Sequence, residues 1–321
     1  MPAPRRPHPD PRRPSPDPRP SQDFALVTVT HNSASHLDAL LRSVARHLPG
    51  VRVVIVDCGS SDDTVRIARA CPAALTVALS DNVGFGRANN LGIAKVSEPV
   101  TILVNPDVEL LDDSLRALAA AAAAGDRLLA PAVLSADGSR QDTVHPVPTS
   151  LPDVVCALVP PSLVPGRAGV ALAPWRSDRP RPIGWAVGCA LAARTDTLRR
   201  LGPFDDSIFL YGEDMELGLR AGEHGIPTWF WPMATIRHVR AHSSAVAFGG
   251  EPFRRLAGAR HDVIARRLGR RRAALDDVLQ ALTFASRIVL KRALRRSARR
   301  ELAQLRAVLS VRWPRCGGPA A

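Results

Sequence analysis

The chain has 321 residues, and 45% of them are hydrophobic, which is enough for a sizeable core in one large domain or two small ones. Its formal net charge of +13 is concentrated near the two ends, which indicates an anionic partner for those ends. The five cysteines form no C-x-x-C pair and no window approaches the roughly 18 apolar residues of a membrane span, which argues against a disulfide scaffold and a membrane-spanning protein. Because no secretory segment is recognisable near residue 1, we expect reduced thiols and a cytoplasmic location.

Residues 1–22 consist mostly of Pro, Arg, Ser and Asp and hold too few apolar residues for a core, which predicts a disordered tail. The folded region is expected to begin with a strand over residues 24–30. Further strands are predicted over residues 51–56 and 75–79, and each is followed by a polar loop and then by a helix. This alternation predicts an α/β fold with a parallel, doubly wound sheet.

A fourth buried strand is predicted over residues 101–104. It ends at Asn105 and Pro106, because proline has no N–H for a continuing ladder. Asp107 is therefore placed at the carboxyl end of a core strand, the edge at which ligands bind in open α/β sheets. The same position is typical of a helix cap, so its residue type alone does not assign Asp107 a function.

The second half of the chain is less regular. An alanine-rich helix is predicted over residues 113–124. Residues 131–182 are dense in Pro, Gly and Arg without clear periodicity, which predicts a lid, a binding loop or a disordered segment. Residues 226–231 are predicted to form an edge strand because they contain proline. From about residue 252, apolar residues at helical spacing alternate with arginines, which predicts a basic amphipathic helical extension over residues 251–321.

Six short motifs follow one another along the chain. They are Val29-Thr30-His31-Asn32, Val56-Asp57-Cys58-Gly59-Ser60-Ser61-Asp62, Asp81-Asn82-Val83-Gly84-Phe85-Gly86-Arg87-Ala88-Asn89-Asn90, Leu103-Val104-Asn105-Pro106-Asp107, Phe204-Asp205 with Tyr211-Gly212-Glu213-Asp214, and His238 with Ser243. In this order they resemble the family 2 glycosyltransferases, especially their bacterial rhamnosyltransferase-like branch. The resemblance covers residues 24–245 and implies a catalytic domain over residues 23–250 with the GT-A fold, a Rossmann-like, mostly parallel sheet with flanking helices.

The resemblance also implies the reaction, an inverting transfer of a sugar from a nucleotide donor to a glycan or polyprenyl-linked acceptor of the cell envelope. The branch favours rhamnose from dTDP-rhamnose, and UDP-galactofuranose, UDP-glucose and GDP-mannose stay open as donors. A divalent cation, Mg²⁺ or Mn²⁺, is expected to stabilise the charge on the leaving diphosphate.

Two residues resemble the metal ligands of this family. Asp107 matches the second acid of its D-x-D motif, and His238 matches a late metal ligand or diphosphate contact. Asn105 stands where the motif has its first acid, so it is expected to hold the sugar of the donor instead of the metal. The alternative for Asp107 is a helix cap, and the alternative for His238 is a buried histidine at the end of a strand.

Asp214 is the expected general base, with Glu213 as the second choice; a first-turn acid favoured by the helix dipole is the structural alternative for both. The other site residues are expected to surround the substrates. Thr30, Asn32 and Asp57 resemble the nucleoside slot, Asn82, Gly84, Phe85 and Asn89 resemble the loop beside the donor, and Trp185 and Gly188 are expected on the acceptor side, with core packing as an equal interpretation.

The basic C-terminal helices have two equal interpretations. They could bind an anionic membrane surface, which would place the enzyme peripherally at the inner face of the cell membrane, or they could pack on the catalytic domain or a second subunit. The rival functions are an inactive scaffold at the membrane, against which the retained Asp107, Asp214 and His238 argue, and a basic nucleic-acid-binding protein. No nucleic acid is expected, because the basic residues flank the fold and lack aromatic interleaving. The sequence leaves the oligomeric state open.

Overall fold

A computed structural model describes residues 23–238 and 252–312 of the chain. The predicted tail over residues 1–22, the motif residue Ser243 and the domain boundary at residues 250–251 lie outside the described residues.

The first half of the chain alternates strands and helices, as the sequence predicts. The elements are β1 (Phe24–Thr30), α1 (Ala34–His47), β2 (Arg52–Cys58), α2 (Thr64–Ala70), β3 (Ala74–Leu79), α3 (Phe85–Ala94), β4 (Val100–Val104), β5 (Val108–Leu110) and α4 (Leu115–Ala123). Strand β1 lies between β2 and β4 and is parallel to both. All five residues of β4 are buried, which agrees with the continuous apolar run that predicts this strand.

The second half adds shorter elements around the same sheet. They are β6 (Leu128–Leu134), β7 (Val144–His145), α5 (Leu151–Leu158), α6 (Gly166–Leu172), β8 (Arg181–Ile183), β9 (Trp185–Ala186), β10 (Ala190–Arg194), α7 (Thr195–Leu201), α8 (Glu213–Glu223) and β11 (Thr228–His238). The main sheet has nine strands in the order β3-β2-β1-β4-β10-β6-β11-β5, with β8 paired to β11. Six of these strands point in one direction, while β5, β8 and β10 run against them. The predicted Rossmann-like, mostly parallel sheet is confirmed, in a mixed form.

Helices cover both faces of this sheet. Successive residues of β1 point to opposite faces, so Leu26 joins a cluster that includes residues of α1 and α4. Val27 joins the cluster on the other face, which includes residues of α3 and α7. Burial on both faces explains why these strands are apolar throughout and why polar residues concentrate at the strand ends.

Of the alternatives for residues 131–182, the disordered segment was wrong, because much of this region forms strands and helices. The central strand β6 begins at Leu128 and runs into this region, and helices α5 and α6 follow. The sequence pattern does not predict strand β6, because this strand contains Pro131. Among the described residues, β10 pairs with β6 at Leu129 alone, so the sheet opens where proline lacks an N–H.

The expectation of an edge strand over residues 226–231 was also wrong. Strand β11 is paired on both sides, with β6 on one and with β5 and β8 on the other. Pro227 precedes the strand, and Pro232 falls in the register shift between Trp231 and Thr235, where a missing N–H breaks no regular ladder bond. The long strand thereby carries His238 back beside β5.

Residues 252–312 form three helices: α9 (Phe253–Arg267), α10 (Arg270–Ala293) and α11 (Arg299–Arg312). Met215 and Leu219 of α8 form a small core with Val263 and Ile264 of α9. Buried Glu216 is paired with Arg220 on its own helix at 2.9 Å and with Arg267 of α9. No helix in the described ranges is both long and apolar enough to cross a membrane.

Candidate active site

The turn after β4 holds the first part of the site. The Asn105 N–H donates to the Cys189 carbonyl at 3.0 Å, and the Asn105 carbonyl accepts from the Val108 N–H at 3.2 Å. These bonds fix the backbone on both sides of Asp107. The side-chain oxygen of Asn105 is buried and has no hydrogen-bond partner within the part of the chain that is described.

Asp107 and His238 meet at this turn. Val108 pairs with His238 in the register of β5 and β11, which brings the adjacent Asp107 to the histidine. The Nε2 atom of His238 lies 3.1 Å from Asp107 Oδ1, and the two side chains are 13% and 9% exposed. Despite this short distance, Nε2 makes no hydrogen bond of acceptable geometry among the described residues. The carboxylate oxygen of Asp107 and the imidazole nitrogen of His238 therefore lie close together without a well-formed hydrogen bond between them. Two ligands of one cation would be arranged in this way.

Gln141 supports the histidine from behind. Its Nε2 donates to the His238 carbonyl at 2.8 Å, and its Oε1 lies 3.5 Å from His238 Nδ1. The residue is buried. Side chains that hold the second ring nitrogen of a ligand histidine orient the ring and fix its tautomer. Gln141 was not predicted as a site residue, because it lies in the aperiodic region over residues 131–182.

Asp214 lies at the beginning of α8. Its Oδ2 accepts the Gly188 N–H at 3.0 Å and its Oδ1 accepts the Met215 N–H at 2.7 Å. Burial raises the pKa of Asp214, and these two backbone donors act in the opposite direction by stabilising the carboxylate.

Glu213 precedes it and is in a different environment. Burial, and then the negative charge of Asp214, raise the pKa of Glu213 to about 8. Its Oε2 is buried and lacks a hydrogen-bond partner among the residues with described positions. Burial raises the pKa of both acids and backbone hydrogen bonds oppose that rise in both, while the charge of Asp214 acts on Glu213 in addition.

The dipeptide Gly188-Cys189 joins the two acidic centres. Gly188 donates to Asp214, and the next carbonyl, of Cys189, accepts from Asn105. Burial raises the pKa of the Cys189 thiol to about 12, and the nearby charges of both Asp107 and Asp214 act in the same direction. Asp107, His238 and Asp214 thus surround one short segment at the carboxyl edge of the sheet.

The candidate nucleoside residues lie at the ends of β1 and β2 and are bonded to one another. Asp57 is buried, and its Oδ1 accepts the Thr30 hydroxyl at 2.9 Å. Ser60 donates its hydroxyl to Asp57 Oδ1 at 2.5 Å and its N–H to Oδ2 at 2.9 Å. Asn32, with a left-handed φ of 47°, accepts the Ser61 N–H at 2.8 Å. Asp57 therefore joins the end of β1 to the loop that follows β2.

The loop after β3 is held by its own asparagines. Asn82 Oδ1 accepts the Gly84 N–H at 3.0 Å, and buried Asn89 donates to the Phe85 carbonyl at 2.9 Å. Gly84 has a φ of 87°, and a Cβ there would lie 2.5 Å from the Phe209 carbonyl oxygen. A glycine is therefore needed at position 84 because the backbone of Phe209 packs closely against it.

Trp185, expected on the acceptor side, is held by packing. Its ring stacks on His145 at 4.4 Å between centroids. Its Cβ packs so closely against Gly218 that a Cβ added to that glycine would lie only 2.6 Å away. Burial, and then the charge of Arg260, lower the pKa of His145 to about 3, so the stacked histidine is neutral. The indole Nε1 is buried without a partner in the described ranges.

The fold is shared with known nucleotide-sugar enzymes. The mannosyltransferase PcManGT of Pyrobaculum calidifontis, solved with GDP-Man and Mn²⁺, superposes with a TM-score of 0.55 at 15% identity, over 90% of this chain and 80% of that one. GalNAc-T7, solved with UDP, GalNAc and Mn²⁺, gives a TM-score of 0.55 at 16% identity, over 75% of this chain and 48% of that one. At these identities the likeness establishes the GT-A fold alone.

Sequence comparison is more specific. Residues 25–166 match the family model described as glycosyl transferase family 2. An N-acetylglucosaminyl-diphospho-decaprenol L-rhamnosyltransferase of Mycobacterium tuberculosis is 31% identical over an alignment of 313 positions that covers 86% of this chain and 96% of that protein. Together with the GT-A fold, these matches define a glycosyltransferase. More specifically, the chain belongs to glycosyl transferase family 2, in agreement with the resemblance seen in its motifs.

Proposed function

We propose that the protein is an inverting, metal-dependent rhamnosyltransferase that moves rhamnose from dTDP-rhamnose to a polyprenyl-diphosphate-linked glycan at the inner face of the cell membrane. The observation that carries this proposal is the mycobacterial relative, which is named for L-rhamnosyl transfer to N-acetylglucosaminyl-diphospho-decaprenol and aligns along most of the chain. The site chemistry supports it, because a nucleotide-sugar donor needs charge compensation and a glycan hydroxyl needs a base.

Asp107 and His238 are the residues that would hold Mg²⁺ or Mn²⁺. Their close, unsatisfied contact fits a cation, and so does the unpartnered oxygen of Asn105 nearby. No group of three or more His, Cys, Asp or Glu side chains suited to a metal occurs in the described ranges. Two protein ligands are enough for ions that take their other ligands from phosphate oxygens and water. When bound, the metal would stabilise the negative charge of the leaving diphosphate.

Asp214 would accept the proton of the acceptor hydroxyl. Its two backbone hydrogen bonds hold the carboxylate in place and stabilise its ionised form, whereas burial and the charge of Asp214 both raise the pKa of the neighbouring Glu213. Attack on the anomeric carbon from the side opposite the leaving diphosphate is a single displacement, which inverts the configuration. Thr30, Asn32, Asp57, Asn82, Gly84, Phe85 and Asn89 would frame the donor, Asn105 would contact its sugar, and Trp185 and Gly188 would back the acceptor side.

The experiment that tests the proposal is a donor panel with the purified full chain. Thermal shift and then turnover are measured with dTDP-rhamnose, UDP-galactofuranose, UDP-glucose and GDP-mannose, with Mg²⁺, Mn²⁺ or EDTA, and with a short-chain polyprenyl-diphosphate-GlcNAc acceptor. We expect metal-dependent stabilisation and transfer with dTDP-rhamnose. Transfer from another donor alone would refute the rhamnose assignment, undiminished transfer in EDTA would refute the metal, and no transfer from any donor would favour the inactive scaffold.

A further inference from the structure

Helix α10 carries an apolar face that nothing in the described chain covers. We call Leu275, Val278, Leu282 and Val289 the α10 stripe. They are 47%, 42%, 42% and 68% exposed, although leucine and valine on a helix are usually turned toward a core. Their spacing of three, four and seven residues places them on one side of the helix.

The opposite side of α10 is already used for packing. Ala273, Asp276, Asp277, Leu279 and Ile288 are buried on it. Buried Asp276 forms a two-pronged pair with Arg260 of α9, at 2.7 and 2.8 Å. The helix therefore cannot rotate to bury its stripe without breaking this buried ion pair, which would leave the Asp276 carboxylate buried without its partner.

A second helix, α5, packs on α10 and also carries exposed apolar side chains. Leu151 and Leu158 lie seven residues apart on one side of α5 and are 76% and 62% exposed. The carboxyl end of α5 is fastened to α10, because Ser286 donates to the Ala157 carbonyl at 3.1 Å and Arg287 donates to the Cys156 carbonyl at 2.7 Å. The two apolar faces are thus carried by one rigid pair of helices.

The charge around this surface has one sign. Residues 252–312 contain seventeen Arg and Lys against four Asp and Glu. Three of these acids are paired internally, Asp276 with Arg260, Asp277 with His261 and Glu301 with Lys291. Exposed arginines flank the α10 stripe at both ends: Arg270 and Arg271 before it, and Arg292, Arg295 and Arg296 after it.

We propose that α5 and α10 together dock on an anionic phospholipid bilayer, with the α10 stripe, Leu151 and Leu158 at the acyl boundary and the flanking arginines on the headgroups. Apolar side chains flanked by basic ones are what an interfacial helix presents to such a surface. A second copy of the chain fits less well, because it would bring two strongly basic surfaces together. The biological purpose rests on the proposed function, since a polyprenyl-linked acceptor lies in the same bilayer.

The docking surface is connected to the candidate active site. Arg272 of α10 donates to the Thr149 hydroxyl and to the Pro148 carbonyl, both at 2.8 Å, just before α5. On the other side, Val263 of α9 would lie 3.1 Å from a Cβ at Gly212, which immediately precedes Glu213 and Asp214. Helices α5 and α10, which would contact the bilayer, are therefore linked through short contacts to α8, the helix that carries the expected base.

Vesicle flotation without donor or acceptor tests the proposal independently of catalysis. The full chain is mixed with phosphatidylcholine vesicles that contain about 30% phosphatidylglycerol, or none. We expect binding to the anionic vesicles that weakens with salt. The variant Leu282→Gln/Val289→Gln should lose at least about tenfold in partitioning, because two exposed apolar side chains no longer enter the bilayer.

The matched control is Leu75→Gln/Leu91→Gln, which removes two apolar side chains of 37% and 39% exposure from β3 and α3. Its partitioning should stay within about twofold of the natural chain. Equal loss in both variants, no loss in either, or equal binding to neutral vesicles would overturn the proposal. So would a dimer in sedimentation that the α10 stripe variant converts to monomer. Transfer to a water-soluble acceptor should be unchanged in the stripe variant, so a failure of the proposed reaction would be seen separately.

Discussion

The two ends of the candidate site differ in how their polar atoms are satisfied. At the ends of β1 and β2, buried Asp57 accepts three hydrogen bonds from Thr30 and Ser60. At the ends of β4 and β11, the Asn105 oxygen and His238 Nε2 are buried and unpartnered within the described part of the chain. A buried polar group without a partner costs about 1–3 kcal/mol, so a ligand that bonds to these atoms would recover that cost.

This difference teaches how one sheet edge can divide its tasks. The β1–β2 end is complete without a ligand and provides a rigid frame. The β4–β11 end, together with α8, holds atoms whose chemistry a cation, a diphosphate and a hydroxyl would complete. Substitutions at the first end should act mainly on stability, and those at the second mainly on activity.

The largest effect is expected at Asp214. Asp214→Asn removes the base and should lower kcat by about 10²–10⁴-fold while the Kd for the donor changes little, because a base acts on the acceptor. Single-turnover transfer and donor binding by calorimetry measure the two quantities. Glu213→Gln is the matched control, and we expect it to retain most activity at pH 7. A larger loss in Glu213→Gln than in Asp214→Asn would reverse the assignment.

Asp107→Asn tests the cation pair. It keeps the size of the side chain but removes its charge, and metal-dependent donor binding should weaken by about 10²-fold. Asp113→Asn, at an exposed position a few residues on, is the control and should bind donor normally. Normal metal-dependent donor binding in Asp107→Asn would mean that Asp107 is not a metal ligand; it is not a helix cap either, because strand β5 follows it directly.

Asp57→Asn tests the other end. One acceptor of its hydrogen-bond set is lost, so the free energy of unfolding should fall by about 1–3 kcal/mol. Denaturant unfolding measures this, and Thr30→Val should reproduce part of it through the same contact. If stability is unchanged but the KM for the donor rises, Asp57 contacts the nucleobase of the donor. The proposed difference between the two ends of the site would then be wrong.

Glu213 gives the candidate site a pH dependence. Its pKa in the folded chain is about 8, above the ordinary value of 4.5, so the folded state binds the proton more tightly than the unfolded state. Stability should therefore fall as pH rises from about 4.5 to 8, by up to about 1.4 kcal/mol per pH unit. Unfolding curves across this range check the slope, and Glu213→Gln should flatten it. An equal slope in that variant would contradict the buried, protonated glutamate.

The smallest effect is expected from Gln141→Leu. His238 would keep its place in β11 but lose the contact that orients its ring, and metal affinity should fall by about tenfold. Titration of Mn²⁺ in the presence of donor measures this. Gln141→Glu should recover part of the affinity by accepting from Nδ1, whereas a purely packing role would leave both variants alike.

The sequence by itself determined the α/β class, the four strands β1 to β4 and the position of Asp107 at a strand end. These follow from local rules: continuous apolar runs form strands that are buried on both faces, and proline or a polar turn ends them. The ordered motifs then identified the family. Predictions failed at β6 and β11, where proline inside a central strand is tolerated because the register opens or shifts there.

Only the tertiary structure decided which distant residues meet. His238 reaches Asp107 because β11 pairs with β5, and Asp214 joins them through Gly188 and Cys189. It also decided that Asp57 is a buried brace, that Gln141 holds the histidine and that the α10 stripe stays uncovered. Spacing along the chain determines the face of a helix or strand on which a side chain lies. The partner of that side chain depends on strand order and helix packing, which are determined by contacts between residues that are distant in sequence.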